Sequence, residues 1–197
     1  PMRTVAAALL LSLTFGLTLG ACASPDPTSR DSTSEAPVLT ADDLARLGVV
    51  NGRVPFPGVV TAGQLTESQF ASLAELGYDT LVNLRPAEEE GAGWEEDFAA
   101  TRGIEFHRIP VAGAQDATEA NARRLAALMS AADGGVVVYC SSANRAGALL
   151  ALKAYLLDGE SPEASLAIGK AAGLTRLEPH VRTVLGLEPL PPAPTEP

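Results

Sequence analysis

The sequence predicts an α/β fold with a mostly parallel sheet of four to five strands flanked by helices. Short apolar, β-prone runs alternate with helix-prone stretches through the middle of the chain. The run 136–139, Val-Val-Val-Tyr, is apolar throughout, which is typical of a central strand covered on both faces. The residues after Cys140 carry helical patterns and no convincing strand, so the sheet should be complete when the chain reaches this cysteine.

Four segments are predicted as strands because apolar and β-branched residues dominate them and turn-forming residues lie close by. They cover residues 59–62, 80–84, 104–109 and 136–139. The third stops at Pro110, because proline cannot donate a ladder hydrogen bond. Helices between consecutive strands favour parallel pairing.

Helices are predicted between these strands and after Cys140. They cover residues 66–76, 94–101, 116–132, 146–157, a segment that begins at Ser161, and 178–185. Thr66 and Gln69 have the spacing of a capping box. Asp116 and Glu119 have the same spacing, which predicts Asp116 as the N-cap of its helix.

The N-terminal residues 1–21 are predicted as a lipoprotein signal peptide. Arg3 supplies a positive charge, residues 5–19 form an apolar run, and small residues directly precede Cys22. Cleavage before Cys22 would leave that cysteine to carry the lipid. An ordinary secretory signal and a retained membrane anchor are the alternatives. The expected location is the bacterial cell envelope, lipid-anchored and extracytoplasmic, on the periplasmic face.

The remaining organisation follows from composition. Residues 22–37 are rich in Ser, Thr and Pro and predict a disordered tether. Residues 38–187 form the predicted folded domain, and residues 188–197 form a Pro-rich disordered tail.

The charge and the counts of Cys and His exclude several classes of function. With 24 acidic and 14 basic residues the net charge is −10, so nucleic acid is not an expected partner. A small anionic substrate could still bind at a local basic site. Two histidines and no Cys/His cluster predict no metal, and no cofactor is expected. Cys22 and Cys140 have separate explanations, so a disulfide between them is not expected.

Cys140 and Arg145 are the candidate catalytic residues. A strand, a tight loop and a helix N-terminus would surround the thiol with N–H donors, which stabilise a thiolate or a bound anion. Arg145 would bind two oxygens of that anion, and its alternative role is a salt bridge to nearby acidic residues. The backbone N–H groups predicted to complete the cradle are those of Ser141, Ser142, Ala143 and Asn144, with Asn144 as the candidate for a left-handed conformation. The alternative role of Cys140 is a buried structural thiol.

Four segments carry a resemblance to a known family: residues 58–64, 76–85, 103–111 and the loop 140–145. Together they resemble the phosphatase-like domain of beta-lactamase hydrolase-like proteins, within the superfamily of cysteine-dependent tyrosine and dual-specificity phosphatases. The resemblance implies a phosphatase-like fold. It also implies hydrolysis of a phosphomonoester through a cysteinyl-phosphate intermediate on Cys140.

The cysteine loop differs from the usual superfamily pattern. Four residues rather than five separate Cys140 from Arg145. This spacing is similar to that of beta-lactamase hydrolase-like domains and also to that of rhodanese-type sulfurtransferases. Tyr139, Ala143 and Ala146 stand where His, Gly and Ser or Thr are usual. The alternatives to hydrolysis are therefore sulfur transfer through the same cysteine and a non-catalytic anion-binding or scaffold domain. The helices predicted after Cys140 favour the phosphatase-like fold over rhodanese.

Two further charged residues have competing roles. Asp116 is the candidate general acid that would protonate the leaving oxygen, and N-capping is its alternative. Arg85 follows a predicted strand, at the edge where open α/β sheets bind ligands. It would contact an anionic substrate or form an ion pair within residues 88–90.

Overall fold

A five-stranded, mostly parallel sheet forms the centre of the computed structural model, which describes residues 38–191. The strands are β1 (Arg53–Phe56), β2 (Val59–Ala62), β3 (Thr80–Asn83), β4 (Glu105–Arg108) and β5 (Val136–Tyr139). Their spatial order is β1-β2-β5-β3-β4, with β1 antiparallel to β2 and the other neighbours parallel. The predicted fold class is confirmed, and β5 is the central strand.

Seven helices in the described residues flank the sheet. They are α1 (Ala41–Arg46), α2 (Glu67–Glu75), α3 (Glu95–Arg102), α4 (Glu119–Ala131), α5 (Asn144–Leu156), α6 (Pro162–Ala171) and α7 (Glu178–Leu185). A 3-10 turn, Ala114–Asp116, precedes α4. Within residues 38–191 only helices follow Cys140, as predicted.

Side-chain alternation along β5 builds a core on each face of the sheet. Val137 and Tyr139 are fully buried in one cluster with apolar side chains of α1, α2 and α3. Val136 and Val138 lie in the other, with side chains of α4 and α5. Successive strand residues point to opposite faces, so a strand apolar at every position fits the middle of a two-sided layer. Cys140 continues this alternation toward α5.

Two glycines allow α5 and α6 to pack with their backbones close together. A Cβ on Gly147 would lie 2.2 Å from the backbone nitrogen of Leu174 and 2.6 Å from the carbonyl oxygen of Gly169. A Cβ on Gly169 would lie 2.9 Å from the carbonyl oxygen of Gly147. Neither position has room for a side chain, so this contact fixes α6 against the helix that begins at the cysteine loop.

Four details of the sequence prediction were incomplete or wrong. Helix α1 and strand β1 were not predicted; both are short, and Pro55 makes β1 an unusual strand that is tolerated at the sheet edge. The N-cap of α4 is Thr118, whose hydroxyl accepts from the N–H of Asn121, and not Asp116. Helix α5 begins at Asn144, two residues earlier than predicted.

The terminal predictions concern residues outside the described part of the chain. The signal peptide 1–21, the tether with Cys22 and residues 192–197 of the tail all lie there. Among residues 38–191, no helix has the length and apolar character needed to cross a membrane.

Candidate active site

The cysteine loop, residues 140–145, lies at the carboxyl end of the parallel strands and joins β5 to α5. The N–H of Cys140 donates to the carbonyl oxygen of Ala62 in β2 at 3.2 Å. On the other side, the carbonyl oxygen of Tyr139 accepts from the N–H of Leu84 at 2.8 Å. Ser142 forms an isolated antiparallel bridge with Gly63. The strands on both sides therefore hold the loop where open α/β sheets bind ligands.

The turn into α5 is made by Ala143 in a left-handed conformation. Its φ is +65°, a region that disfavours residues with a Cβ. The expectation that Asn144 would take this conformation was wrong, because the Asn144 side chain has another task. Its Oδ1 accepts from the N–H groups of Thr175 at 2.9 Å and Leu177 at 3.1 Å, and from the Thr175 hydroxyl at 3.1 Å.

The amide hydrogens at the start of α5 face no acceptor of their own helix. The first intrahelical hydrogen bond after the loop runs from the N–H of Gly147 to the carbonyl oxygen of Ala143, at 2.9 Å. The N–H groups of Asn144, Arg145 and Ala146 precede it and belong to the unpaired first turn. Such a turn favours an anion, and the thiol lies directly before it.

Cys140 is a buried free thiol. Only 1% of the residue is exposed, and it packs in the core cluster that contains β5 and α5. Its predicted neighbour Arg145 stands at the first turn of the same helix. The loop therefore brings the thiol and the guanidinium to one end of α5, which is the juxtaposition that the motif predicts.

Arg145 forms a salt bridge with Glu89, which is the alternative role predicted for this arginine, although the partner was not named. The two terminal nitrogens of Arg145 donate to the two carboxylate oxygens of Glu89, each at 2.8 Å. Arg145 also donates to the carbonyl oxygen of Val111 at 3.0 Å and to the Ser141 hydroxyl at 3.3 Å. Its Nε–H has no acceptor within residues 38–191. The four terminal N–H groups of Arg145 are thus engaged, and the Nε–H is the donor left for a ligand. The predicted grip on two anion oxygens is taken up by the Glu89 carboxylate instead.

Glu89 also binds Arg85, so this arginine forms the ion pair within residues 88–90 that was one of its two predicted roles. The Nε of Arg85 donates to Glu89 at 2.8 Å, and its terminal nitrogens donate to Gln64 and to the carbonyl oxygen of Glu90. Hydrogen bonds from Arg145, and then from Arg85, lower the pKa of Glu89 to about 2. The same partner, Glu89, raises the pKa of Arg145. The carboxylate is therefore ionised at neutral pH.

A buried polar cluster supports the loop that carries Glu89. Glu95 is fully buried and accepts hydrogen bonds from Asn83 at 2.8 Å, Gln64 at 3.1 Å and Arg108 at 3.1 Å. It also accepts from the N–H of Gly93 at 2.9 Å. A buried carboxylate with four donors is satisfied, so it anchors the β3–α3 segment beside the cysteine loop.

Asp116 lies in the segment next to the site, with its carboxylate engaged by its own turn. Its Oδ2 accepts from the N–H of Ala112 at 2.8 Å, the N–H of Gly113 at 3.4 Å and the side-chain amide of Gln115 at 3.1 Å. Val111, which binds Arg145, starts the same segment. Asp116 therefore follows closely, along the chain, a residue that contacts Arg145, and its role as general acid stays a prediction.

Tyr139 is buried, and the two histidines are engaged by groups outside the cysteine loop. Burial raises the pKa of the Tyr139 phenol above its usual range, which keeps it neutral. His107 pairs with Glu105 at 2.7 Å, and Nε2 of His180 lies 3.0 Å from the carbonyl oxygen of Ala117. Within residues 38–191, no group of three or more His, Cys, Asp or Glu side chains is arranged to hold a metal ion.

Solved structures share this fold. A candidate phosphatase from Neisseria meningitidis superposes with a TM-score of 0.56 at 21% identity, covering 68% of this chain and 98% of that one. TpbA from P. aeruginosa superposes with a TM-score of 0.54 at 18% identity, covering 68% and 84% of the two chains. At such identities the likeness establishes the architecture, and function has to be argued from the site.

Sequence comparison gives the family. Beta-lactamase hydrolase-like proteins from Xylella fastidiosa (strain Temecula1) and Agrobacterium fabrum (strain C58) are 32% and 35% identical over 117 and 95 residues. These alignments cover 57% and 46% of this chain but only 27% and 22% of those proteins. The family's sequence model for the phosphatase-like domain matches residues 51–156, from the turn before β1 to the end of α5. The chain therefore belongs to the family of the phosphatase-like domain of beta-lactamase hydrolase-like proteins.

Proposed function

We propose that this domain hydrolyses a phosphomonoester through a cysteinyl-phosphate intermediate on Cys140. The observation that carries the proposal is the pairing of a thiol with an arginine whose fork is fixed by Glu89 and open at Nε. Both groups stand at the unpaired first turn of α5, where phosphate oxygens would find N–H donors and a positive helix end.

The reaction would proceed in two displacements. The Cys140 thiolate would attack phosphorus, forming an S–P bond as the P–O bond to the leaving group breaks. The leaving oxygen would take a proton from a general acid, for which Asp116 is the candidate. Water would then cleave the S–P bond and release inorganic phosphate and the thiolate. Arg145 and the loop N–H groups would stabilise the charge on the phosphoryl oxygens in both transition states.

Family membership supports phosphoryl transfer over sulfur transfer. The matched domain is phosphatase-like, and P. aeruginosa TpbA has been solved as a complex with phosphotyrosine. The sulfurtransferase and the non-catalytic anion-binding domain remain the competing proposals, because both would use the same loop. They differ in what becomes attached to Cys140, which is measurable.

The test compares two activities on the chain from residue 38 onward. Aryl phosphate hydrolysis and thiosulfate:cyanide sulfur transfer are assayed side by side, with Cys140→Ser and Arg145→Lys as variants. We expect hydrolysis that is lost in Cys140→Ser, and falls at least about a hundredfold in Arg145→Lys, because a lysine ammonium cannot bind Glu89 bidentately and also present a donor in the place of the arginine Nε–H. Acid-quenched protein should carry a phosphoryl adduct of about 80 Da on Cys140.

Three other outcomes would contradict the proposal. Hydrolysis that persists in Cys140→Ser would exclude the cysteine as nucleophile. An adduct of about 32 Da after thiosulfate, one sulfur atom, would assign the sulfurtransferase. Inactivity in both assays, together with thermal stabilisation by phosphate that Arg145→Lys removes, would assign the anion-binding domain.

A further inference from the structure

Two arginines stand apart from all the other cationic side chains of the described chain. Apart from Arg3 and Arg30, every Lys and Arg lies within residues 38–191. There, all but two have a hydrogen bond or ion pair through the side chain. The exceptions are Arg53 and Arg176, which form no side-chain hydrogen bond, ion pair or ring contact with any residue in that range. Both are exposed. With acidic residues in excess, two unpaired arginines are unexpected on this surface.

Arg53 is a neighbour of the cysteine loop. It begins β1, opposite Thr61 of β2. A Cβ built on Gly173 would lie 3.2 Å from the Arg53 Nε and 2.6 Å from the Ala143 Cβ. The space that a methyl group on Gly173 would fill therefore borders both the Arg53 guanidinium and Ala143 of the loop. Gly173, at a φ of +104°, leaves that volume empty.

Arg176 lies in the chain segment that is hydrogen-bonded to the same turn. Its two neighbours in the chain, Thr175 and Leu177, donate their N–H groups to Oδ1 of Asn144. Asn144 is the first residue of α5. The segment that carries Arg176 is therefore tied to the start of the helix at which the proposed phosphate cradle is built.

The charge around the site is consequently asymmetric. On the β3–α3 side, residues 88–90 are three consecutive glutamates, and Glu89 is ion-paired with both Arg145 and Arg85. On the α6–α7 side, Arg53 and Arg176 have no carboxylate to bind. A ligand with two anionic groups would place one at Cys140 and direct the second away from the glutamates.

We propose that Arg53 and Arg176 form a second oxyanion subsite, which selects phosphomonoesters that carry another carboxylate or phosphate group beside the scissile phosphate. The proposal rests on the proposed function, because the first group is the phosphate held at Cys140. The arginine forks suit a carboxylate and a phosphate alike, since both present paired oxygens. The chemistry of the substrate is therefore that of a dianionic or polyanionic ester rather than a simple aryl phosphate.

The test uses pairs of substrates that differ only in the second charge. These are 3- and 4-carboxyphenyl phosphate, each with its neutral carboxamide counterpart, and kcat/KM is measured for each. The double variant Arg53→Gln/Arg176→Gln should lower the carboxylate-to-carboxamide ratio of kcat/KM by about fivefold, and the loss should shrink at high salt. Because ratios are compared between variants, the intrinsic difference in leaving-group reactivity cancels.

A matched control is Arg46→Gln/Arg123→Gln, which removes the same charge from α1 and α4 and should change the ratio less than about twofold. Equal loss in both double variants would overturn the subsite, because the effect would then come from net charge. Binding of the four esters to Cys140→Ser, measured by calorimetry, separates this proposal from the hydrolase itself. A carboxylate preference that the Arg53/Arg176 variant removes would support the subsite even without turnover. Equal affinity for charged and neutral esters would refute it.

Discussion

Glu89 is the residue that most changes the interpretation of the cysteine loop. Its carboxylate binds both terminal nitrogens of Arg145 and the Nε of Arg85, and the fork cannot rotate without breaking these contacts. Arg145 is therefore oriented before any ligand arrives, which reduces the ordering that binding requires. The sequence gives no local signal for this contact, because 56 residues separate the two partners.

Glu89→Gln should lower the stability of the folded protein in a pH-dependent way. The native pKa, about 2, lies below the ordinary glutamate value of 4.5, so the ionised carboxylate stabilises the fold above about pH 4.5. That contribution is lost as the pH falls toward 2. We expect a loss of about 1–2 kcal/mol at pH 7, less than the full shift implies because the side chain is 30% exposed and solvent screens it.

Urea unfolding between pH 7 and pH 3 measures this effect. The stability curves of the wild type and of Glu89→Gln should converge toward the acid end. Glu88→Gln is the matched control, since Glu88 is exposed and has no ion pair within residues 38–191. A constant difference across the pH range would show that the variant acts through packing and not through the carboxylate's charge.

Ala143 carries local backbone strain, so its replacement by glycine should stabilise the protein. A left-handed residue with a Cβ costs about 1 kcal/mol, and glycine adopts a φ of +65° freely. Part of the gain is offset by the greater freedom of glycine in the unfolded chain. We expect a net gain of about 0.5 kcal/mol in urea unfolding. Ala167→Gly, on an exposed helical position of α6, should instead destabilise by about 1 kcal/mol. Destabilisation by Ala143→Gly would contradict the strain argument.

At the scale of elements, Gly147 and Gly169 determine how closely α5 packs against α6. Gly147→Ala should destabilise by about 1–3 kcal/mol, because the new methyl would meet the backbone of Leu174 and Gly169, which cannot move aside like a flexible side chain. Gly103→Ala is the comparison. It adds the same methyl where nothing lies within 4 Å, so only the cost of its φ of +67° remains. Equal urea midpoints for the two variants would argue against a tight contact between the helices.

Much of this architecture was predictable from local patterns, and the exceptions have physical reasons. Strands β2, β3 and β5 follow from runs rich in β-branched residues, β4 from the apolar residues of the segment 104–109, and α2 from the Thr66 capping box. Strand β1 contains a proline, and α1 has only six residues, so neither produces a long periodic signal. Thr40 and Asp43 do form a capping box, which is the signal that would have located α1.

The site residues, too, were predictable where a local pattern contains them and not where only tertiary packing brings them together. Cys140 and Arg145 are close in the sequence, so their spacing alone placed them together. Glu89 and Arg53 come close to the loop only through tertiary packing, which no local pattern encodes. The N-cap of α4 was misplaced because Asp116 and Thr118 both have capping chemistry, and only the fold shows that the Asp116 carboxylate closes the preceding turn.

At the scale of the whole molecule, we propose that the domain is tethered to the bacterial cell envelope through a lipid on Cys22. The support is the sequence alone: an apolar run, small residues and a cysteine, followed by a Ser/Thr/Pro-rich segment. Such an anchor would present an acidic domain at a membrane surface, where a long tether lets it reach substrates nearby.

Cys22→Ala tests the anchor. Cleavage and lipidation should both fail in this variant, so a mature, lipidated form seen by mass spectrometry of the wild type should be absent. Cys140→Ala serves as control, because it removes a cysteine without touching the proposed lipidation site. A Cys22→Ala protein that still carries the lipid, or is processed as in the wild type, would contradict the prediction.

The three donors gathered by Asn144 have a consequence for the order of folding. They belong to Thr175 and Leu177, which lie 31 and 33 positions further along the chain. The start of α5 therefore gains these hydrogen bonds only after the chain has passed through α6 and turned back. Contacts of this separation require a loop to close first, which delays them relative to local structure. During synthesis, the ribosome would still hold the residues that complete the loop while the sheet assembles. We therefore expect the thiol to gain its final surroundings among the last events of maturation, when the strands are already in place.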